Sequence, residues 1–338
     1  MNSKVCIIKD SVLKKEHFLK SIEILNMTKR IQEAKKIFIK PNLCAGTGMK
    51  PDTGVVTSAH TLDKLINYIN IINSDCNIFI GESDSSGHGY AFEKFQFQNY
   101  NLLVERYKNL SLIDLSRTQC KLIDIEGIYL KKIDFPEILL QTNLYISVSK
   151  IKTHNLTKVS GILKNQFGLL PQMDKHIFHP FIDKVICDLN LFIKPDLCIL
   201  DGNPAIEGNG PVYGKPVLMN LFLIGNDPVA TDSLMCKLIG FNPQKIKHLA
   251  LAHNRGSGEI DINKIGIFFI KEKLDISDIC NKFKFIKKQQ RLFINLGLLF
   301  QKVGLIVTNF GHLIHGLTSA NDILIKLKRY LKKRFKKN

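Results

Sequence analysis

The stretch from Ser149 to Pro171, SKIKTHNLTKVSGILKNQFGLLP, sets Lys150, Lys152, Lys158 and Lys164, His154, Asn155 and Asn165 among leucine, isoleucine and phenylalanine. Ammonium groups held away from water need a counter-charge or acceptors, so cations gathered in a cleft point to an anionic ligand. Lys40, Lys152 and Lys164 are the expected charge partners, while Lys150 and Lys158 read equally well as solvated surface lysines. Histidine's unperturbed pKa lies near neutrality, so His154 is the candidate to move a proton. In DGNPAIEGNGP, Asp201 to Pro211, Asp201 or Glu207 could orient that histidine, hold a cation or take a proton, and glycine amides could stabilise developing negative charge. The expected catalytic set is therefore Lys152, His154, Asp201 and Glu207; the expected ligand-binding set is Lys40, Asn42, Glu82, Lys164, Asn165, Asn209 and Asp227.

A metal shell is a second chemistry open to the same residues. His154, His176 and His179, with Asp201, Glu207 or Glu82, offer nitrogen and oxygen donors to a divalent ion. Their spacing matches no recognised metal signature, so no metal is assigned, and His154, His179 and Asp201 stay as secondary candidates. The eight cysteines, at 6, 44, 76, 120, 187, 198, 236 and 280, form no C-x-x-C pair. No iron–sulfur cluster is expected; reduced, mostly buried thiols are. GESDSSGHG, from Gly81, is neither a G-x-G-x-x-G nor a P-loop and implies no nucleotide.

These residues need a scaffold, and the hydrophobic pattern supplies one. Apolar strands are expected at 5–8, 37–39, 77–80, 144–148, 197–200, 218–224 and 265–270, with helices near 14–26, 60–72, 91–108, 157–168, 180–193 and 228–239. Continuous apolar strands separated by helices predict an α/β fold with a mainly parallel sheet covered on both faces. The polar clusters KPN, GESDSSGHG, SKIKTHN, DGNPAIEGNGP and GND each follow a strand, so all five are expected at the carboxyl edge, where open α/β sheets bind ligands. A helix over 157–168 would align Thr157, Gly161, Lys164 or Asn165, and Gly168 on one stripe. Asp227 before Pro228 is a helix start.

The net charge of +18 is unevenly placed: eight basic residues lie between Lys326 and Lys337, and the rest of the chain carries +10. That distribution argues against a specific nucleic-acid partner. The opening MNSKVCIIKD lacks the basic-then-apolar pattern of a signal peptide, which makes a cytoplasmic setting the expectation. The α/β domain is expected over 1–270 and a basic amphipathic helical extension over 271–338. Leu292, Leu296, Leu299, Val303, Ile306, Phe310, Leu313 and Leu317 share one helical face. It could pack on the domain or on a second subunit, or attach the chain peripherally to an anionic inner membrane face through the tail.

KPNLC, GESDSSGHGYAFE, SKIKTHNLTKVSGILKNQFGLLP, KHIFHP, DLCILDGNPAIEGNGPVYGKP and GNDPVATDSLMCKLIGF stand in the order seen in the domain of unknown function 362 family, which the chain resembles from about Lys4 to Ile270. The resemblance implies redox company, since many members carry a ferredoxin-type cysteine quartet, but this chain has none. The expectation is an enzyme acting on a small anionic substrate by acid–base chemistry, or by redox chemistry with an external electron donor. The alternative is a non-catalytic ligand-binding or scaffold protein of a membrane-associated pathway.

Overall fold

The computed structural model describes residues 2–44, 51–86, 89–271, 275–280, 283–285 and 294–298. Its strands, in chain order, are β1 (Lys4–Ile8), β2 (Lys36–Pro41), β3 (Asn77–Glu82), β4 (Leu110–Asp114), β5 (Cys120–Asp124), β6 (Lys132–Pro136), β7 (Leu144–His154), β8 (Lys158–Ser160), β9 (Leu197–Glu207), β10 (Lys215–Val217), β11 (Phe222–Gly225) and β12 (Gly266–Phe269). Eight of them run in the order β12-β1-β11-β9-β7-β2-β3-β4, with β8 and β10 added on β7 and β9 and a separate β5–β6 hairpin. The sheet is mixed but mostly parallel, as the apolar runs predict.

Alternation along the strands sends side chains to two cores. Ile37, Ile39, Ile78, Ile80, Ile146 and Val148 pack under helices 15–24, 28–33 and 59–72; Phe38, Tyr145, Cys198 and Leu200 pack under helices 182–192 and 228–238. From β2 the chain crosses through helix 59–72 to β3 on one side, and from β7 it crosses through helix 182–192 to β9 on the other. The carboxyl ends of the adjacent strands β2 and β7 therefore flank a topological switch point, where the departing connections leave a crevice.

One expected convergence fails. β11 pairs antiparallel with both β1 and β9, so its carboxyl end, Asn226 and Asp227, lies at the opposite edge of the sheet. Asp227 is instead a helix cap: its carboxylate accepts from Val229 N at 2.8 Å, Ala230 N at 3.0 Å, Ser3 Oγ at 2.6 Å and Glu259 N at 2.9 Å.

The expected helix over 157–168 is also divided. Residues 158–160 form β8, folded back on β7, and the helix starts only at Ile162, running to Asn165 before a 3-10 turn over Gln166–Leu169. Buried Asp232 determines that start by accepting Ile162 N at 2.7 Å and Leu163 N at 2.9 Å. Glycine is required at 161 because a Cβ there would lie 2.2 Å from Asp232 Oδ1. The strands at 144–148 and 197–200 run further than their apolar cores, to His154 and Glu207. Of the expected extension, Gly208 N donates to Lys284 O and Lys284 N to Glu207 Oε2, both at 2.9 Å. The stripe from Leu292 to Leu317 and the basic tail fall outside the described residues except at 294–298. No helix among the described residues is long and apolar enough to cross a membrane.

Candidate functional site

A cavity of about 300 Å³ opens at the switch point. Its walls come from the end of β2 and the turn after it (Lys40, Asn42, Cys44), the end of β3 and the turn after it (Glu82, Ser83, Ser85) and Lys94 of helix 91–97. His154 and Asn155 at the end of β7, the 160–168 segment (Lys164, Asn165, Phe167), Lys175 to His179, and Asn209 to Tyr213 complete it. Four of the five expected clusters thus meet; GND does not. Gly87 and His88 of GESDSSGHG lie outside the described residues.

Four lysines line this space against one carboxylate among the described residues, Glu82. Lys40, fully buried, puts Nζ 2.7 Å from Glu82 Oε2 and 2.8 Å from Pro41 O. Burial alone would raise the Glu82 carboxyl, but Lys40 and Lys94 outweigh it and hold it below the usual range. Lys94 donates to Ser83 O at 2.8 Å, and Lys175 donates to Asp84 O. Lys164 differs. Its ammonium stands 4.5 Å over the Phe167 ring and makes no hydrogen bond with the described residues.

Burial pulls the Lys164 pKa down to about 8 and that of Lys175 to about 7. Amines in that range exchange protons near neutral pH, which ordinary surface lysines do not. His154 accepts Leu156 N at 3.1 Å and Thr157 N at 3.4 Å on Nδ1, so its neutral ring carries the proton on Nε2. The backbone amides of its own turn thus set the tautomer. His179 stacks on Phe167 with centroids 6.1 Å apart.

Comparison with known proteins bears on this arrangement. The family described as Domain of unknown function (DUF362) matches residues 37–237, more than half the chain and the whole set of lining residues from Lys40 to Tyr213. The chain belongs to that family. A curated relative, a thylakoid-associated protein of Synechocystis sp., is 33% identical over 128 residues, which are 35% of this chain and 39% of that protein. The chain therefore spans well under half the length of that relative. The lactate racemase apoprotein from Thermoanaerobacterium thermosaccharolyticum aligns over 75% of this chain and 57% of its own at 14% identity and a TM-score of 0.39.

Among the residues expected from this DUF362 chain's sequence, Lys40, Asn42, Glu82, His154, Lys164, Asn165 and Asn209 line the cavity. Lys152 does not. It lies one layer behind, fully buried, donating to Asn42 Oδ1 at 2.9 Å, Val55 O at 2.8 Å and Cys44 Sγ at 3.0 Å, and so props two lining residues. Asp201 is also outside the lining, paired with Lys150 at 3.0 Å, both side chains 1% exposed. Lys150 is therefore no surface lysine. Glu207 holds the Lys284 amide and is not in the lining. His154 and His179 line the cavity without Asp201, and no group of three or more His, Cys, Asp or Glu gathers as a metal shell among the described residues.

Residue type gave no sign of Lys94, Lys175, Cys44 or Phe167. The one available signal was Lys175's place in KHIFHP beside the two histidines.

Lys175 also fixes a pH dependence. Its folded pKa of about 7 lies below the ordinary 10.5, so between those values the unfolded chain binds more protons and stability rises with pH. Below about pH 7 the amine is charged in both states, and its burial destabilises the fold in full. Lys175→Met should flatten the rise in stability between pH 7 and 9 by on the order of 1.4 kcal/mol per pH unit at most, apart from the separate stability lost with the bond to Asp84 O. Urea unfolding of both proteins at several pH values checks this, and an identical pH dependence would refute it.

Proposed function

We propose that this chain is an enzyme that draws a small anion into the switch-point cavity and moves a proton on it. The carrying observation is the imbalance of the lining: four lysines face one carboxylate among the described residues, and Lys40 already pairs with that carboxylate. A cavity left positive in low dielectric favours an anion of matching size. Lys164, which has no hydrogen bond with the described residues, is the natural contact for the anionic group. Lys175, with a pKa of about 7, and His154, with its proton on Nε2, are the candidates for acid–base work.

The test is calorimetric titration of the full chain with small carboxylates and phosphate, followed by NMR observation of hydrogen exchange into the bound compound in deuterated buffer. Lys164→Ala should weaken anion binding by about 10- to 100-fold, the worth of one charge-assisted contact. Because the anion needs Lys164 charged, affinity should fall as pH rises through about 8, and binding at that pH should take up protons from buffer. Unchanged affinity in Lys164→Ala would remove the site. Binding without exchange would favour a ligand-binding protein over an enzyme. A peripheral membrane role for the basic tail is proposed separately, on charge pattern alone.

A further inference from the structure

We infer that the anion bound in the cavity also carries a hydroxyl or amine, whose hydrogen the side-chain oxygen of Asn155 accepts; this rests on the anion-binding reading above. Asn155 lines the cavity at 8% exposure, anchored by its backbone N–H, which donates to Gly210 O at 3.0 Å. Its Oδ1 exposes almost no surface and accepts no hydrogen bond from a described residue, so a slight turn of the side chain toward the cavity is what brings it to a ligand's hydrogen. The other buried amides of the wall are engaged. Asn42 Oδ1 accepts from Lys152, and Asn165 Nδ2 donates to Lys40 O and Ser147 Oγ, both at 3.0 Å.

A buried acceptor without a donor costs about 1–3 kcal/mol, and folded proteins leave few of them. A simple carboxylate cannot answer this one, because an ionised carboxyl offers only acceptor oxygens and would repel the amide oxygen, and a phosphate answers only through a P–O–H that it keeps near neutral pH. The answering group must bring a hydrogen. Lys164 has the opposite need, an ammonium lacking an acceptor among the described residues. Two groups of opposite hydrogen-bonding demand in a cavity of about 300 Å³ select a ligand with both an acidic group and a donor within a few atoms of each other. The class is a small hydroxylated or aminated carboxylic acid or phosphate ester.

The experiment uses two matched pairs of probes, glycerate against propionate and glycerol 3-phosphate against propyl phosphate, titrated calorimetrically into the full chain and into Asn155→Leu. Leucine keeps the shape and removes the oxygen. In at least one pair the hydroxylated probe should bind about tenfold or more tighter than its deoxy partner, and that pair identifies the acidic group. In Asn155→Leu the preference should drop to about threefold or less, with the deoxy affinity nearly unchanged. Equal wild-type affinity within both pairs overturns the Asn155 inference and leaves anion binding standing. A preference that survives in Asn155→Leu places the acceptor elsewhere and overturns it too. If the wild-type chain binds none of the four probes, the anion reading falls and takes this one with it.

Discussion

Lys150→Met is expected to lower the free energy of unfolding by about 3–5 kcal/mol while leaving anion affinity within about twofold of wild type. Lys150 and Asp201 are each 1% exposed at the side chain and stand 3.0 Å apart. Burial depresses the Lys150 pKa and Asp201 partly restores it. Asp201 also accepts Thr61 Oγ1 at 3.0 Å and Asn203 N at 2.8 Å, tying β7 and β9 to the start of helix 59–72. Removing the ammonium leaves a carboxylate in the core with only a hydroxyl and an amide to hold it. The large cost is thus that of an orphaned charge rather than the net worth of the pair. Lys150→Met with Asp201→Leu should recover much of the loss, since two apolar side chains leave no charge to strand. Urea unfolding with calorimetry of the folded variants measures both quantities. A loss below about 1 kcal/mol would sink the structural account of the pair. A folded Lys150→Met protein that no longer bound anions would return Asp201 to the site, where its place in DGNPAIEGNGP after a buried strand had put it in the expected catalytic set.

That misplacement shows what sequence can carry. The apolar runs from Ile37, Asn77, Leu144 and Leu197 located four parallel strands, because a strand buried on both faces has no alternative composition. They could not give direction: Phe222–Gly225 is as apolar read backwards, and its antiparallel pairing removed Asp227 from the site. Lysines were read as strand ends, yet β7 continues through Lys150 and Lys152 because Asp201, Asn42 and Val55 meet their ammonium groups inside. Those partners are 51 or more residues distant in the chain, so no local pattern announces them. Lys94 and Lys175 were hidden for a related reason: each is held by a carbonyl of the turn after β3, Ser83 or Asp84, an acceptor with no side-chain signature. Lys40, Glu82 and His154 were legible because polar residues at the end of a buried parallel strand share one edge, and Lys164 because it stood on a small and polar stripe, although the helix expected to carry that stripe begins only at Ile162.

Glu82→Gln should weaken the fold and tighten the anion together. Glutamine keeps the volume, and space here is short: a Cβ on Gly168 would lie 2.8 Å from Glu82 Oε1 and 2.9 Å from Lys40 Nζ. Lys40, 1% exposed at the side chain, would lose its counter-charge and keep Pro41 O and an amide oxygen as acceptors. Because its pKa is already lowered by burial, shedding the proton offers partial relief, which sets the expected loss at about 2–4 kcal/mol, somewhat under that of a fully stranded ion. For the ligand the sign reverses. The lining loses the one acid among its described residues, and for an anion taken at about 6 Å with an effective dielectric near 20 the removed repulsion is roughly 2–3 kcal/mol before screening. Affinity for a probe anion such as phosphate should therefore rise by about tenfold or more, and saturating probe should stabilise Glu82→Gln more than wild type, since the ligand now supplies the missing charge. Urea unfolding of both proteins with and without the probe reads all of this. Weaker binding in Glu82→Gln would mean that the carboxylate itself accepts a hydrogen from the ligand. No change in either quantity would mean that the Lys40–Glu82 pair is electrically isolated from the cavity it borders.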